Sequence, residues 1–146
     1  MNRRVALSLQ AQNPGLRLVN EIEATRSIDD AGLGADWSEF VTGFAASGIP
    51  DVGRISKIGA AIGVDAIFQG ELVSVQQIDG EYGRNAGTTR VTVRYTLLDA
   101  RDGRLLWETS ADGLRKTMTT VQSAPPIMEA VDLAVEKILE NLPPIK

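Results

Sequence analysis

Apolar and polar positions alternate most strictly between residues 89 and 99. Val91, Val93, Tyr95 and Leu97 fall on one side, and Arg90, Thr92, Arg94 and Thr96 on the other. That is the period of two expected of a strand with one covered face. Asp99-Ala100-Arg101-Asp102-Gly103 then reads as a turn, since Asp-Gly is a strong hairpin signal. Leu105, Trp107, Thr109 and Ala111 return antiparallel over 104–112. Upstream, Val64-Asp65-Ala66-Ile67-Phe68 is nearly all apolar, as in a strand buried on both faces. It continues through Val75 to make a strand over 64–76, and a glycine-rich loop from Gln77 to Thr89 joins it to the alternating one. Leu16-Arg17-Leu18-Val19-Asn20 is a further, short strand.

Elsewhere the period is that of a helix. Asn20 caps a helix over 21–31, with Glu23 positioned for a capping box and Gly32 and Gly34 for its stop. Trp37, Phe40, Val41 and Phe44 make one apolar face of a helix over 37–47, preceded by a capping-box pattern at Asp36 and closed by Gly48. Pro50-Asp51 opens a third over 51–62, with Val52, Ile55, Ile58 and Ile62 inward and Gly63 at its end. Ser123 caps a long helix over 124–141, with Pro125 and Pro126 in its first turn. Its inner face is Ile127, Val131, Ala134, Ile138 and Leu142, and Pro143 stops it. Residues 5–12 fit two patterns. Val5, Leu7 and Leu9 alternate as in a strand, while Val5 and Leu9 stand four apart as in a helix. The sum is one α/β domain over 1–146, bordering on α+β. It has a mixed, partly antiparallel sheet of four to five strands flanked by helices.

Charge narrows the function classes. Fifteen basic and nineteen acidic residues leave a net charge of −4. The basic residues are scattered, without the stripe that phosphate neutralisation needs, so no nucleic-acid partner is expected. No apolar run approaches the ~20 residues of a bilayer-crossing helix. The chain has no Cys and no His. Thiolate zinc sites, Cys nucleophiles and His-dependent triads are therefore ruled out.

The remaining candidate chemistry reads as structural. Asp99 and Asp102 bracket a hairpin, where Asp serves the turn. Asp29-Asp30 are adjacent near a helix end and diverge; Asp79 with Glu81 lies in the loop. Ser56 and Lys57 are neighbours on one helix, about 100° apart, and make no nucleophile pair. Gly80, Gly83 and Gly87 do not open onto a helix, as a phosphate loop would. No catalytic residue, metal ligand or cofactor site is expected, and no enzyme. Two places suit protein contact. Tyr82 and Arg84 stand in the long loop, and Tyr and Arg are residues that dominate interface energetics. Arg115-Lys116 forms a basic turn further on. Trp107 is expected to pack in the core.

Two stretches resemble a family. Ile58-Gly59-Ala60-Ala61-Ile62-Gly63-Val64-Asp65-Ala66-Ile67-Phe68-Gln69-Gly70-Glu71-Leu72 is similar to the helix-to-strand unit of bacterial envelope lipoproteins. Leu98-Asp99-Ala100-Arg101-Asp102-Gly103-Arg104-Leu105-Leu106-Trp107-Glu108 is similar to their hairpin, and the closing helix with Leu142-Pro143 also matches. The wider group includes the curli-secretion channel subunits, the lipoproteins that activate penicillin-binding proteins and the amino-terminal domain of the TolB translocation protein. The resemblance implies a small α/β domain acting through a protein partner in envelope assembly or secretion, with homo-oligomers among the arrangements. It also implies a leader, a lipid-bearing Cys and a first strand, which this sequence does not contain. With a lipidated leader the protein is expected in the periplasm at the outer membrane, and otherwise in the cytoplasm. The long apolar segments of a channel are missing, so channel formation is not expected. A small-ligand-binding domain with a pocket at the sheet edge is the alternative reading.

Overall fold

The computed structural model describes residues 2–118 and 123–142. Among these, the elements run α1 (Asn2–Gln12), α2 (Glu21–Asp30), α3 (Gly34–Ser47), α4 (Val52–Ile62), β1 (Ala66–Ile78), β2 (Thr88–Asp99), β3 (Leu105–Lys116) and α5 (Ile127–Leu139). The sheet is an antiparallel meander of three strands in the order β1-β2-β3. It is neither mixed nor four- to five-stranded. The stretch 16–20 is no strand: its side chains are at best half-buried and its last residue, Asn20, begins a helix. Residues 5–12 are helical, because Val5 and Leu9 are both buried while the Leu7 between them is 53% exposed. Four-residue spacing thus prevails over alternation.

The contacts divide the chain into two compact units. One consists of 17–69 and 96–107. In it α2, α3 and α4 pack on one another, and Phe40, Phe44, Ile55, Ile67, Leu98 and Ala100 form a core cluster. Local signals set its helix ends. Asn20 Oδ1 accepts from the Glu23 N–H at 2.9 Å, and Asp51 Oδ1 from the Arg54 N–H at 3.1 Å. Each satisfies an amide that the first turn leaves without a helical partner. Gly48 and Gly63 end α3 and α4 in the left-handed conformation. The helix α3 begins earlier than expected, and Asp36 does not cap it; Asp36 faces Arg54 and Lys57. A Cβ on Gly59 would lie 2.7 Å from Ala100 Cβ, so α4 approaches the 99–104 turn as closely as backbone permits. In that turn Asp99 Oδ1 accepts from the Arg101 N–H at 2.8 Å, and Asp102 Oδ1 from the Arg104 N–H at 2.9 Å. Trp107 is half-buried and stacks on Phe68 with ring centroids 6.1 Å apart.

The other unit contains 1–16, 70–95 and 108–146. Here α1 packs on α5, and Val91, Val93 and Tyr95 of β2 are buried together with Val131, Ala134 and Ile138 of α5. The helix α5 starts at Ile127 with Pro126 at its cap, in place of the expected Ser123. The expected stop at Pro143 lies outside the described residues. A Cβ on Gly113 of β3 would collide with the Ala130 carbonyl oxygen and come within 2.9 Å of Ala134 N. The helix therefore lies directly on the strand. Only an absent side chain allows that approach.

β1 is not buried on both faces. It is the outer strand, and Leu72, Val73, Val75 and Ile78 are each more than 40% exposed. It also contains an irregularity. A Cβ on Gly70 would meet the Tyr95 ring at 2.5 Å and Asn2 Oδ1 at 2.6 Å, which places Gly70 on the helix-covered face. Gln77 Nε2 donates to the Pro125 carbonyl at 3.1 Å on that same face. Residues an odd number of positions apart face opposite ways in a regular strand. One extra residue is therefore taken up between them, which is a β-bulge.

Replacing Gly113 by Ala should lift α5 off β3. Unable to relax into space, the variant is expected to lose about 2–3 kcal/mol. Its melting temperature should fall by an amount on the order of 5–10 °C. A thermal melt followed by circular dichroism checks this; an unchanged midpoint refutes the packing described.

Candidate functional site

The hairpin between β1 and β2 is the best-defined protruding feature. Glu81 and Asn85 form an antiparallel bridge, with N–H···O distances of 2.9 and 3.0 Å in the two directions. Tyr82, Gly83 and Arg84 make the tip, and Gly83 takes a φ of 71°, which costs glycine no steric strain. Tyr82 is 68% exposed. Arg84 is also exposed and reaches back to Glu81 at 3.6 Å. The tip is solvated, but its base is not loose. Asp79 Oδ1 accepts from the Ala124 N–H at 2.9 Å. The Pro125 carbonyl accepts from Gln77 Nε2 and, at 2.6 Å, from the buried Thr89 Oγ1. Thr117 N–H donates to the Gly87 carbonyl at 2.9 Å, and Gly87 N–H to Thr117 Oγ1 at 3.0 Å. The 123–125 segment ahead of α5 and the residue after β3 thus clamp the hairpin.

Arg115 and Lys116 are not in a turn. They are the last two residues of β3, because the strand runs further than the expected 104–112. Their side chains consequently leave opposite faces. Arg115 turns toward α5 and pairs with Glu129 at 3.5 Å, both about half-exposed. Lys116 is exposed on the other side. The Thr117–Gly87 hydrogen bonds bring this strand end beside the hairpin base. Among the described residues, no hydrogen bond or ion pair links Tyr82 or Arg84 to Arg115 or Lys116.

Arg90 did not stand out in the sequence. The alternation that buries Val91 and Val93 also puts Arg90 on the uncovered face, with Thr92 and Arg94. On that face Arg94 pairs with Glu71 at 2.7 Å, and Thr92 Oγ1 donates to Asp112 Oδ1 at 2.7 Å. The hydrogen bond to Glu71 raises the Arg94 pKa further above its ordinary value.

The other candidate groups serve the scaffold. Ser56 Oγ donates to the Arg101 carbonyl at 2.5 Å. In the helical unit Arg54 gathers carboxylates from two helices: Asp51 at 2.7 Å, Asp36 at 3.6 Å, and Glu39. Its pKa rises, chiefly through the hydrogen bond to Asp51. An open cleft of about 430 Å³ lies beside it, floored by Phe40, Phe44, Ile49 and Pro50. Its lining comes from α3, α4 and the link between them, with no strand residue among them. Asp99 is the most buried carboxylate in an ion pair, and its pKa is held below the usual value. The Arg101 backbone N–H is the main cause and the Arg101 guanidinium the second.

The architecture is a helix-flanked antiparallel meander with the fold of a bacterial lipoprotein. It matches the crystal structure of lipoprotein GNA1162 from Neisseria meningitidis with a TM-score of 0.53 and 17% sequence identity, over 94% of this chain and 85% of that one. At that identity the likeness is one of fold. No protein-family model and no curated protein sequence matches the chain. The resemblance to curli-secretion subunits, penicillin-binding-protein activators and TolB is one of sequence motifs, and neither comparison extends to those families.

A depressed Asp99 pKa has a defined consequence for acid stability. The stabilisation is complete above the ordinary carboxylate pKa of ~3.9 and disappears as pH falls through the lower folded-state value. The stability gap between the native chain and Asp99→Asn should therefore be widest at neutral pH and shrink as pH falls through the lowered folded-state value. Urea midpoints measured across that range check it. A gap independent of pH would refute the ionised-turn account.

Proposed function

We propose that this chain is a non-enzymatic module of the bacterial cell envelope, acting through contact with a protein partner during envelope assembly or secretion. The observation that carries this reading is the fold, shared over nearly the whole chain with a lipoprotein. The motifs at 58–72 and 98–108 add to it, as does the work their polar residues do. Asp99, Asp102, Asp79 and Ser56 each spend a side-chain oxygen on a backbone group. The contact surface begins at the hairpin tip. Its clamped base holds Tyr82 and Arg84 out from the sheet, so backbone ordering costs at binding are low. The protein works in the periplasm, at the outer membrane when lipidated.

Cell fractionation of a bacterium carrying the gene tests the compartment. The protein is expected in the envelope fraction, and recovery in the cytosol overturns the reading. Crosslinking in those cells tests the surface. Tyr82→Ala with Arg84→Ala should abolish the major crosslinked species while leaving the melting temperature within about 1 °C, as exposed substitutions do. Undiminished crosslinking refutes the hairpin as the contact.

A further inference from the structure

We propose that the uncovered sheet face beside the hairpin binds an acidic protein segment, with Arg90 and Lys116 as its charge-reading residues. This deepens the contact reading above and names the chemistry of the partner.

The strand register places these residues. Thr92 meets Asp112 across the face, and Gly87 pairs with Thr117, so β2 and β3 keep one register over this length. Arg90 then stands opposite Leu114, and Lys116 is its diagonal neighbour on the same face, ~7–8 Å away. All three are exposed, Leu114 at 38%. The face distributes its charge unevenly. Toward the middle of β2, Arg94 is neutralised by Glu71 and Asp112 is held by Thr92. Toward the hairpin, neither Arg90 nor Lys116 has a carboxylate partner among the described residues. Two uncompensated cations around an exposed leucine stand out on a chain of net charge −4.

The spacing suits carboxylates two residues apart on a strand, ~7 Å, or one turn apart on a helix, ~5.4 Å. An apolar side chain between them would cover Leu114. The surface fits an acidic protein segment better than a nucleic acid or an anionic membrane. Nucleic acid and anionic membranes are held by many cations acting together, and this face offers two within an acidic whole.

Poly-L-glutamate serves as the probe, added to the ¹⁵N-labelled full chain. The amide signals of Arg90, Leu114 and Lys116 should shift saturably, and less in high salt. Arg90→Gln with Lys116→Gln should weaken the apparent affinity about tenfold, with an unchanged amide spectrum elsewhere. Absence of shifts at these amides, or equal affinity in the double variant, overturns the proposal. So does tighter binding to phosphatidylglycerol vesicles than to the peptide, which would make the face a lipid surface. Crosslinking in cells separates the two levels of the argument. If the Tyr82/Arg84 variant loses the partner and the Arg90/Lys116 variant keeps it, the hairpin contact stands and the acidic-segment proposal falls. If the Arg90/Lys116 variant loses the partner and the Tyr82/Arg84 variant keeps it, the acidic-segment surface stands without the hairpin.

Discussion

The seat of α5 on β3 is the constraint on which the sheet-bearing unit depends. An α-helix and a strand ordinarily meet through interlocking side chains. Here Gly113 has none, and the Ala130 backbone occupies the space a Cβ would take. With α5 seated there, Ala130, Val131, Ala134, Val135 and Ile138 are all buried. A three-stranded sheet gains independent stability only when a hydrophobic face is covered. The seat has a second effect. It fixes the start of the helix, and with it Ala124 and Pro125, whose backbone groups bond Asp79, Gln77 and Thr89. The pose of the hairpin is thus set by a glycine on another strand.

The features readable from sequence were those set by near neighbours. Asn20 and Asp51 bond amides three residues on, and Gly48 and Gly63 turn the chain where each helix stops. Such contacts need no knowledge of the tertiary fold. Asp36 had the same local pattern and failed as a cap, because Arg54 and Lys57 on the next helix claim its carboxylate. Burial of β1 was misread for a related reason. An apolar run shows that a segment can be buried, and only the strand count shows whether a neighbour covers it. With no strand at 16–20, β1 is left at the edge.

The candidate contact residues divide the same way. Tyr82 and Arg84 were found because glycines and length mark a loop. The clamp that makes that loop a defined hairpin joins Gln77 to Pro125, 48 residues away, and nothing local announces it. Arg115 and Lys116 look equivalent as a dipeptide. Strand geometry separates them, giving one to Glu129 and leaving the other without a carboxylate partner among the described residues. Arg90 was visible by parity, as the polar partner of the Val91 alternation. Its significance depended on knowing which neighbouring cations find carboxylates.

Edge protection explains why contact is assigned to the face and the hairpin. Both outer strands of a three-stranded meander present unpaired backbone groups, and such edges recruit further strands unless something prevents it. The bulge between Gly70 and Gln77 breaks the in–out order of β1, so a straight strand laid along it falls out of register partway. β3 carries Glu108, Asp112, Arg115 and Lys116, charges that an added strand would have to accommodate. One edge is guarded by geometry and the other by charge. What remains open to a partner is side chains on the uncovered face and at the hairpin tip. The partner we propose would be read there by the side chains of Arg90, Lys116 and Tyr82.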